Sequence, residues 1–314
     1  MNRLAVIFAG QGSQYTSMGL DFVDAYPFLK EKEKIASSIL GYDTRQVLSS
    51  TDGTLNETKY TQPLTLLASI YAYEALKTLN AEISACAGFS LGEYSALYAS
   101  GIFSYEQILE IIKFRSNLMQ ECSMTNPGKM AAIIGLDSVY IEQICKEASN
   151  QGVVVLANYN SPIQSVISGE ELAVNIAIEK AKLQGAKRAI LLNVSGAFHS
   201  PLMKKAGDEL AQYLNQIKPH HMEIPIYMNS TAKPLVEKQL YQEMEKQIQS
   251  SVYFKQMIQR MKADGITHFL EIGPGKVLSG LIKKIDIDAQ VSNLDKLDNI
   301  EQLKGWLKEH GFSK

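Results

Sequence analysis

Three side chains set the chemistry this chain can support: a serine at a glycine-flanked turn, a histidine at a chain junction, and an arginine among apolar neighbours. Ser90 lies in Cys86-Ala87-Gly88-Phe89-Ser90-Leu91-Gly92-Glu93-Tyr94, which reads as the end of a buried strand, a sharp turn and the start of a helix. Gly88 and Gly92 flank it in a Gly-x-Ser-x-Gly spacing, so the backbone can reverse tightly and leave the hydroxyl at a strained apex. A helix N-terminus at that point aims free N–H groups, chiefly that of Leu91, at an oxyanion formed on an attacked carbonyl. The same spacing also serves ordinary strand-to-helix turns, because Gly and Ser populate turns generally. The partners of Ser90 decide between the two readings.

A serine nucleophile needs a base within hydrogen-bond reach, and histidine is the default near neutral pH. Among the five histidines, His220 and His221 follow Pro219 in a polar connection, His268 opens a strand and His310 falls in the terminal helix. His199 stands apart. Gly196-Ala197 precede it, Ser200-Pro201 follow it, and it falls where one part of the chain returns to another; such junctions line clefts. Its alternative role is that of a satisfied structural histidine. No acid between Ser90 and His199 sits in a recognisable turn after an apolar strand, so a dyad is expected rather than a triad. A backbone carbonyl or an amide side chain then orients the imidazole, with Asn158, Asn160 and Gln247 as candidates. Arg115 sits on a helix with Ile111, Ile112, Leu118 and Met119, a charge close to a hydrophobic face.

The elements that must position these groups follow from hydrophobic pattern and turn chemistry. Leu4 to Ala9 is a continuous apolar run closed by glycines, as in a parallel strand covered on both faces. Helices are expected around residues 26–40, from a Thr61 N-cap with Pro63 in the first turn to Leu79, from the serine turn to Ser100-Gly101, and from a Ser104–Gln107 capping box to about Glu121. From Lys129 the order becomes strand, helix, strand, strand, helix, strand: 130–136, a helix capped by Asp137, 153–156, 165–168, a helix over 170–184, and 188–194. This βαββαβ order is a ferredoxin-like signature, read as an inserted subdomain. Long helices and short apolar strands (224–228, 269–272) then resume the larger α/β unit. Gly273-Pro274-Gly275-Lys276 reads as a structural turn, since its glycine spacing and missing Ser/Thr do not fit a phosphate loop.

At 314 residues the chain exceeds the length at which single cores usually split, so two subdomains are expected. Its 31 basic and 33 acidic residues leave a net charge of −2, which points to neither a nucleic-acid nor an anionic-membrane partner. Cys86, Cys122 and Cys145 are odd in number and lack Cys-x-x-Cys spacing, so neither a disulfide framework nor a zinc site is expected and a reducing cytoplasm fits. The apolar N-terminal run is too short for a signal peptide or a membrane span.

Six motifs carry a resemblance that no single one would. They are Phe8-Ala9-Gly10-Gln11-Gly12-Ser13-Gln14, Gly88-Phe89-Ser90-Leu91-Gly92-Glu93-Tyr94, Arg115 with Met119-Gln120, Asn158-Tyr159-Asn160-Ser161-Pro162, Gly196-Ala197-Phe198-His199-Ser200, and Glu271-Ile272-Gly273-Pro274-Gly275. In this order and over nearly the whole chain they resemble malonyl-CoA:acyl carrier protein transacylases. The resemblance implies Ser90 as nucleophile, His199 as base, and an oxyanion hole from the Gln11 and Leu91 amides. It also implies Arg115 as the binder of the malonyl carboxylate, with pairing to an internal acid as the alternative, and the Gln247 carbonyl as the group orienting His199, with neighbouring Gln249 as the alternative in register; Asn160 is a candidate from its residue type alone. Phe198, beside His199, is expected to crowd an α-methyl group and so tune selectivity. Phe89 departs from the family, which usually has histidine there.

The implied fold is α/β: a hydrolase-like parallel-sheet subdomain over 1–127 and 199–314, with the ferredoxin-like subdomain over 128–198. The implied reaction is ping-pong transfer of malonyl from malonyl-CoA to the phosphopantetheine thiol of an acyl carrier protein, in fatty-acid or polyketide synthesis. No metal or resident cofactor is expected, and a cytoplasmic monomer is the default. The rival reading is an editing acyl-thioester hydrolase, against which the arginine clamp argues.

Overall fold

The computed structural model describes residues 2–194 and 196–313. An unbroken apolar strand offers no side to water and must be covered on both faces, and β1 (Leu4–Phe8) is buried at every residue. Leu4, Val6 and Phe8 enter the larger core, whereas Ala5 and Ile7 enter a second one beneath the helices Phe254–Ala263 and Val277–Ile285. The strands β2 (Ile83–Gly88), β7 (Ile226–Tyr227), β8 (His268–Ile272) and β9 (Gln290–Leu294) join β1 in a wholly parallel sheet of order β7-β2-β1-β8-β9.

The inserted strands β3 (Lys129–Ile134), β4 (Val154–Ser161), β5 (Gln164–Gly169) and β6 (Arg188–Leu191) form a separate antiparallel sheet of order β4-β5-β3-β6. With the helices Ser138–Ala148 and Glu171–Leu183 on one face, this is the ferredoxin-like arrangement, and it has its own core around Ala131, Ile133, Leu156 and Ile167. The backbone ties the two parts together where Val252 exchanges hydrogen bonds with Ala157 and Tyr159 of β4. Among the described residues, no helix is long and apolar enough to cross a membrane.

Three local readings are corrected. Thr61 is not an N-cap: the helix runs Thr58–Lys77, and Thr61 folds its hydroxyl back onto the Leu55 and Glu57 carbonyls. Pro63 is therefore inside the helix, where it cannot donate to Lys59 O; Ser116 Oγ lies 3.5 Å from that carbonyl but is closer, at 3.0 Å, to Lys113 O of its own helix. The strand expected over 153–156 continues to Ser161, so Asn158 and Asn160 sit on a strand. β9 has no apolar alternation strong enough to signal it; three of its five residues are half-buried at a sheet edge. The Ser104–Gln107 capping box is present, and its helix extends to Thr125.

Candidate active site

In an open parallel sheet, functional groups gather beyond the carboxyl ends of the strands. Here the loop after β1 brings Gln11, the turn after β2 brings Ser90, and the connection after β7 brings Asn229. Phe8 and Gly88 are register partners, so the first two lie side by side. The crossing is very close. A Cβ on Gly88 would lie 1.9 Å from the Gly92 carbonyl carbon, and one on Gly92 would lie 2.1 Å from Phe8 O. Both positions of the Gly-x-Ser-x-Gly spacing thus need glycine for space, while Ser90 takes the left-handed conformation at φ 51°.

Ser90 Oγ lies 2.6 Å from His199 Nε2. His199 Nδ1 lies 2.9 Å from the backbone carbonyl of Gln247, which can only accept, so the proton sits on Nδ1 and Nε2 is free to take one from serine. Of the three residues expected to orient the ring, Gln247 makes this contact, and Asn158 and Asn160 do not; Asn160 Oδ1 is buried without a hydrogen-bond partner among the described residues. The helix Leu240–Gln249 ends beside His199, whose own N–H donates to Ile248 O. Burial, and then the neighbouring Arg115 charge, push the imidazole down to about 4. Like Ser90, His199 has a left-handed backbone, at φ 58°.

Arg115 is fully buried on the helix Tyr105–Thr125 and faces no carboxylate in hydrogen-bond contact. Its Nη1 donates to Gln62 Oε1 at 2.5 Å and its Nη2 to Gln247 Oε1 at 3.0 Å. The guanidinium lies 4.7 Å over the Tyr94 ring, and Nε has no partner. Among the described residues no carboxylate hydrogen-bonds to this buried cation, although the Glu93 carboxyl is near enough to favour its charge; held by two neutral amides and a π face, it has its fork ready for a carboxylate. Gln247 also donates through Nε2 to Ser90 O at 2.6 Å, so one side chain joins the arginine to the nucleophile.

Leu91 is buried at the head of the helix Gly92–Ala99, and Gln11 is half-buried. Among the described residues, no hydrogen bond engages either backbone N–H. Phe198 is buried in the large core next to His199. Phe89 stacks edge-on against Phe254, with ring centroids 5.4 Å apart, so an apolar contact backs the serine turn.

The sequence left Gln62, Tyr94 and Asn229 without roles. Gln62 was detectable as a polar residue in the apolar run 61–76, and Asn229 as a turn former directly after a short strand. Tyr94 had no signal beyond its place in the serine motif.

Comparison with known proteins places similarity over nearly the whole chain. The family model described as an acyl transferase domain matches residues 6–293. A malonyl CoA-acyl carrier protein transacylase of Staphylococcus aureus is 38% identical over 309 residues, covering 98% of this chain and 99% of that protein. The chain belongs to the malonyl-CoA:acyl carrier protein transacylase family. Its Bacillus subtilis relative of the same name is 37% identical over 312 residues, covering 98% of each chain. Among solved structures, the transacylase of Streptococcus pneumoniae superposes with a TM-score of 0.93 at 40% identity, covering 97% of this chain and all of that one. A malonyl-transacylase in complex with its type II polyketide acyl-carrier protein gives a TM-score of 0.92 at 34% identity, over 97% and 99% of the two chains. The transacylase fold thus accounts for both sheets.

Proposed function

We propose that this chain transfers a malonyl group from malonyl-CoA to the phosphopantetheine thiol of an acyl carrier protein through a malonyl ester on Ser90. The observation that carries this reading is one connected unit: the 2.6 Å Ser90–His199 contact joined through Gln247 to a buried arginine to which, among the described residues, no carboxylate hydrogen-bonds. His199 Nε2 takes the Ser90 proton as Oγ attacks the thioester carbonyl. The oxyanion forms opposite the free Leu91 and Gln11 amides, and CoA leaves with the proton from His199. The carrier thiol then attacks the ester, gives its proton to Nε2, and Ser90 recovers it as the malonyl group departs.

A positioned base contributes about 10²–10⁴-fold, and each oxyanion donor about 10²–10³-fold. A ring held at low basicity returns its proton readily to the leaving group. Arg115 selects the substrate, because a charged hydrogen bond to the free carboxylate is worth about 1.5–3 kcal/mol. Phe198 disfavours an α-methyl by about 1–3 kcal/mol. The three buried free cysteines suit a reducing cytoplasm, where the enzyme works as a monomer.

Incubation with malonyl-CoA and intact-protein mass spectrometry test the reading. A malonyl adduct is expected on the wild-type protein and none on Ser90→Ala; an adduct on the variant overturns the assignment. With carrier protein added, malonyl-carrier should form faster than free malonate, and the reverse order would identify a hydrolase.

A further inference from the structure

The serine turn is fixed by a group that the proton-transfer steps do not use. A left-handed non-glycine residue persists only where its surroundings over-determine it; at Ser90 the carbonyl is held by Gln247 Nε2, and the N–H side of the turn by Asn229, which is fully buried just after β7. Asn229 Oδ1 accepts from the Ser90 N–H at 2.6 Å, and its Nδ2 donates to the Gly88 carbonyl at 2.7 Å. One amide therefore grips the backbone on both sides of Phe89. Its own N–H donates at 2.6 Å to Oε2 of Glu93, a buried residue three positions beyond the serine. The ring of contacts closes within the turn, from residues 139 and 136 positions apart in sequence.

Resting on the transacylase reading above, we propose that Asn229, held in place by Glu93, is a positioning residue for Ser90. It fixes the nucleophile's left-handed backbone and occupies the Ser90 N–H, so that oxyanion binding falls to Leu91 and Gln11. An amide is required because the site needs an acceptor for one N–H and a donor for one carbonyl from the same side chain. Burial pushes the Glu93 carboxyl up to about 8, so the acid is neutral near pH 7 and a glutamine can reproduce its acceptor.

The test uses the full chain and two readouts: the rate at which a fluorophosphonate probe labels Ser90, and malonyl-CoA loading resolved into kcat and KM. Because misplacement of a reacting atom by about 1 Å can cost about 10²-fold, Asn229→Ala should lower labelling and kcat together by about that factor, with KM and the malonyl-to-acetyl preference unchanged. Glu93→Ala should show the same loss, and Glu93→Gln should restore most of it. Labelling of Asn229→Ala at the wild-type rate, or an effect confined to KM, overturns the proposal. If that variant does not fold, Asn229→Asp keeps the acceptor and loses the donor; slowed labelling supports the proposal and wild-type labelling overturns it. If neither folds, equal labelling of Glu93→Ala and Glu93→Gln overturns it, and a faster Gln variant supports it. Wild-type protein that takes the probe but not malonyl would remove the transacylase reading alone, leaving the positioning role to be judged on labelling.

Discussion

His199 and Arg115 share one buried site, and their charges act on each other. A cation near an imidazole disfavours the imidazolium, which with burial takes the ring down to about 4. A protonated ring cannot act as base, so serine reactivity should fall only as pH drops towards that value, well below the ordinary imidazole range. Measured as fluorophosphonate labelling against pH, the acid limb should move to higher pH in Arg115→Ala, because the repelling charge is gone. An unmoved limb would show that burial alone sets the ring. The same variant should lose malonyl loading by about 10–100-fold, the equivalent of about 1.5–3 kcal/mol, and gain in acetyl loading relative to malonyl. Gln62 and Gln247 are then left with unpaired carbonyls inside the protein, so thermal stability should fall as well.

At the scale of elements, the strand–turn–helix unit tolerates no added atom where β2 passes the helix Gly92–Ala99. A methyl on Gly92 meets backbone of β1 at 2.1 Å, and backbone cannot swing aside as a flexible side chain does. Gly92→Ala should therefore destabilise the protein by several kcal/mol or prevent folding, as seen in thermal or denaturant unfolding. Gly280, in the helix Val277–Ile285, provides the contrast, with open space around its Cβ position. Gly280→Ala should stabilise by about 0.5–1 kcal/mol through helix propensity alone, with activity unchanged. Turn and helix signals in this unit were legible because they are local: a capping box needs four residues, and the glycine spacing five. β9 was not legible, since an edge strand buries too little to impose alternation, and the early start of the helix at Thr58 was masked because tertiary packing accommodates Pro63.

For the whole molecule, the buried titratable groups set how stability follows pH. The folded state keeps Glu93 protonated up to about 8, against an ordinary 4.5, so it binds more protons than the unfolded chain across that window. Glu93 thus makes stability decline as pH rises from about 4.5 to 8. His199 acts with the opposite sign: its folded value of about 4 lies below the ordinary 6.5, so stability is lost as pH falls through that interval. Subtracting the unfolding curve of Glu93→Gln from that of wild type isolates the first term, and the variant should gain relative to wild type between pH 4.5 and 8. A flat difference would mean that Glu93 is ionised in the folded protein. What the sequence by itself determined is what neighbouring residues can encode: the doubly buried β1, the βαββαβ insertion, the serine turn, and the choice of Ser90, His199 and Arg115 as chemically unusual residues in their settings. The tertiary structure decided which distant groups complete them. That Gln247 rather than Asn160 accepts from His199, that Gln62 and Gln247 hold Arg115 instead of an acid, and that Asn229 grips the turn all depend on elements brought together across 48 to 139 residues. No local pattern records such contacts, because a hydrogen bond across the fold constrains only where two backbones meet and leaves no periodicity in either.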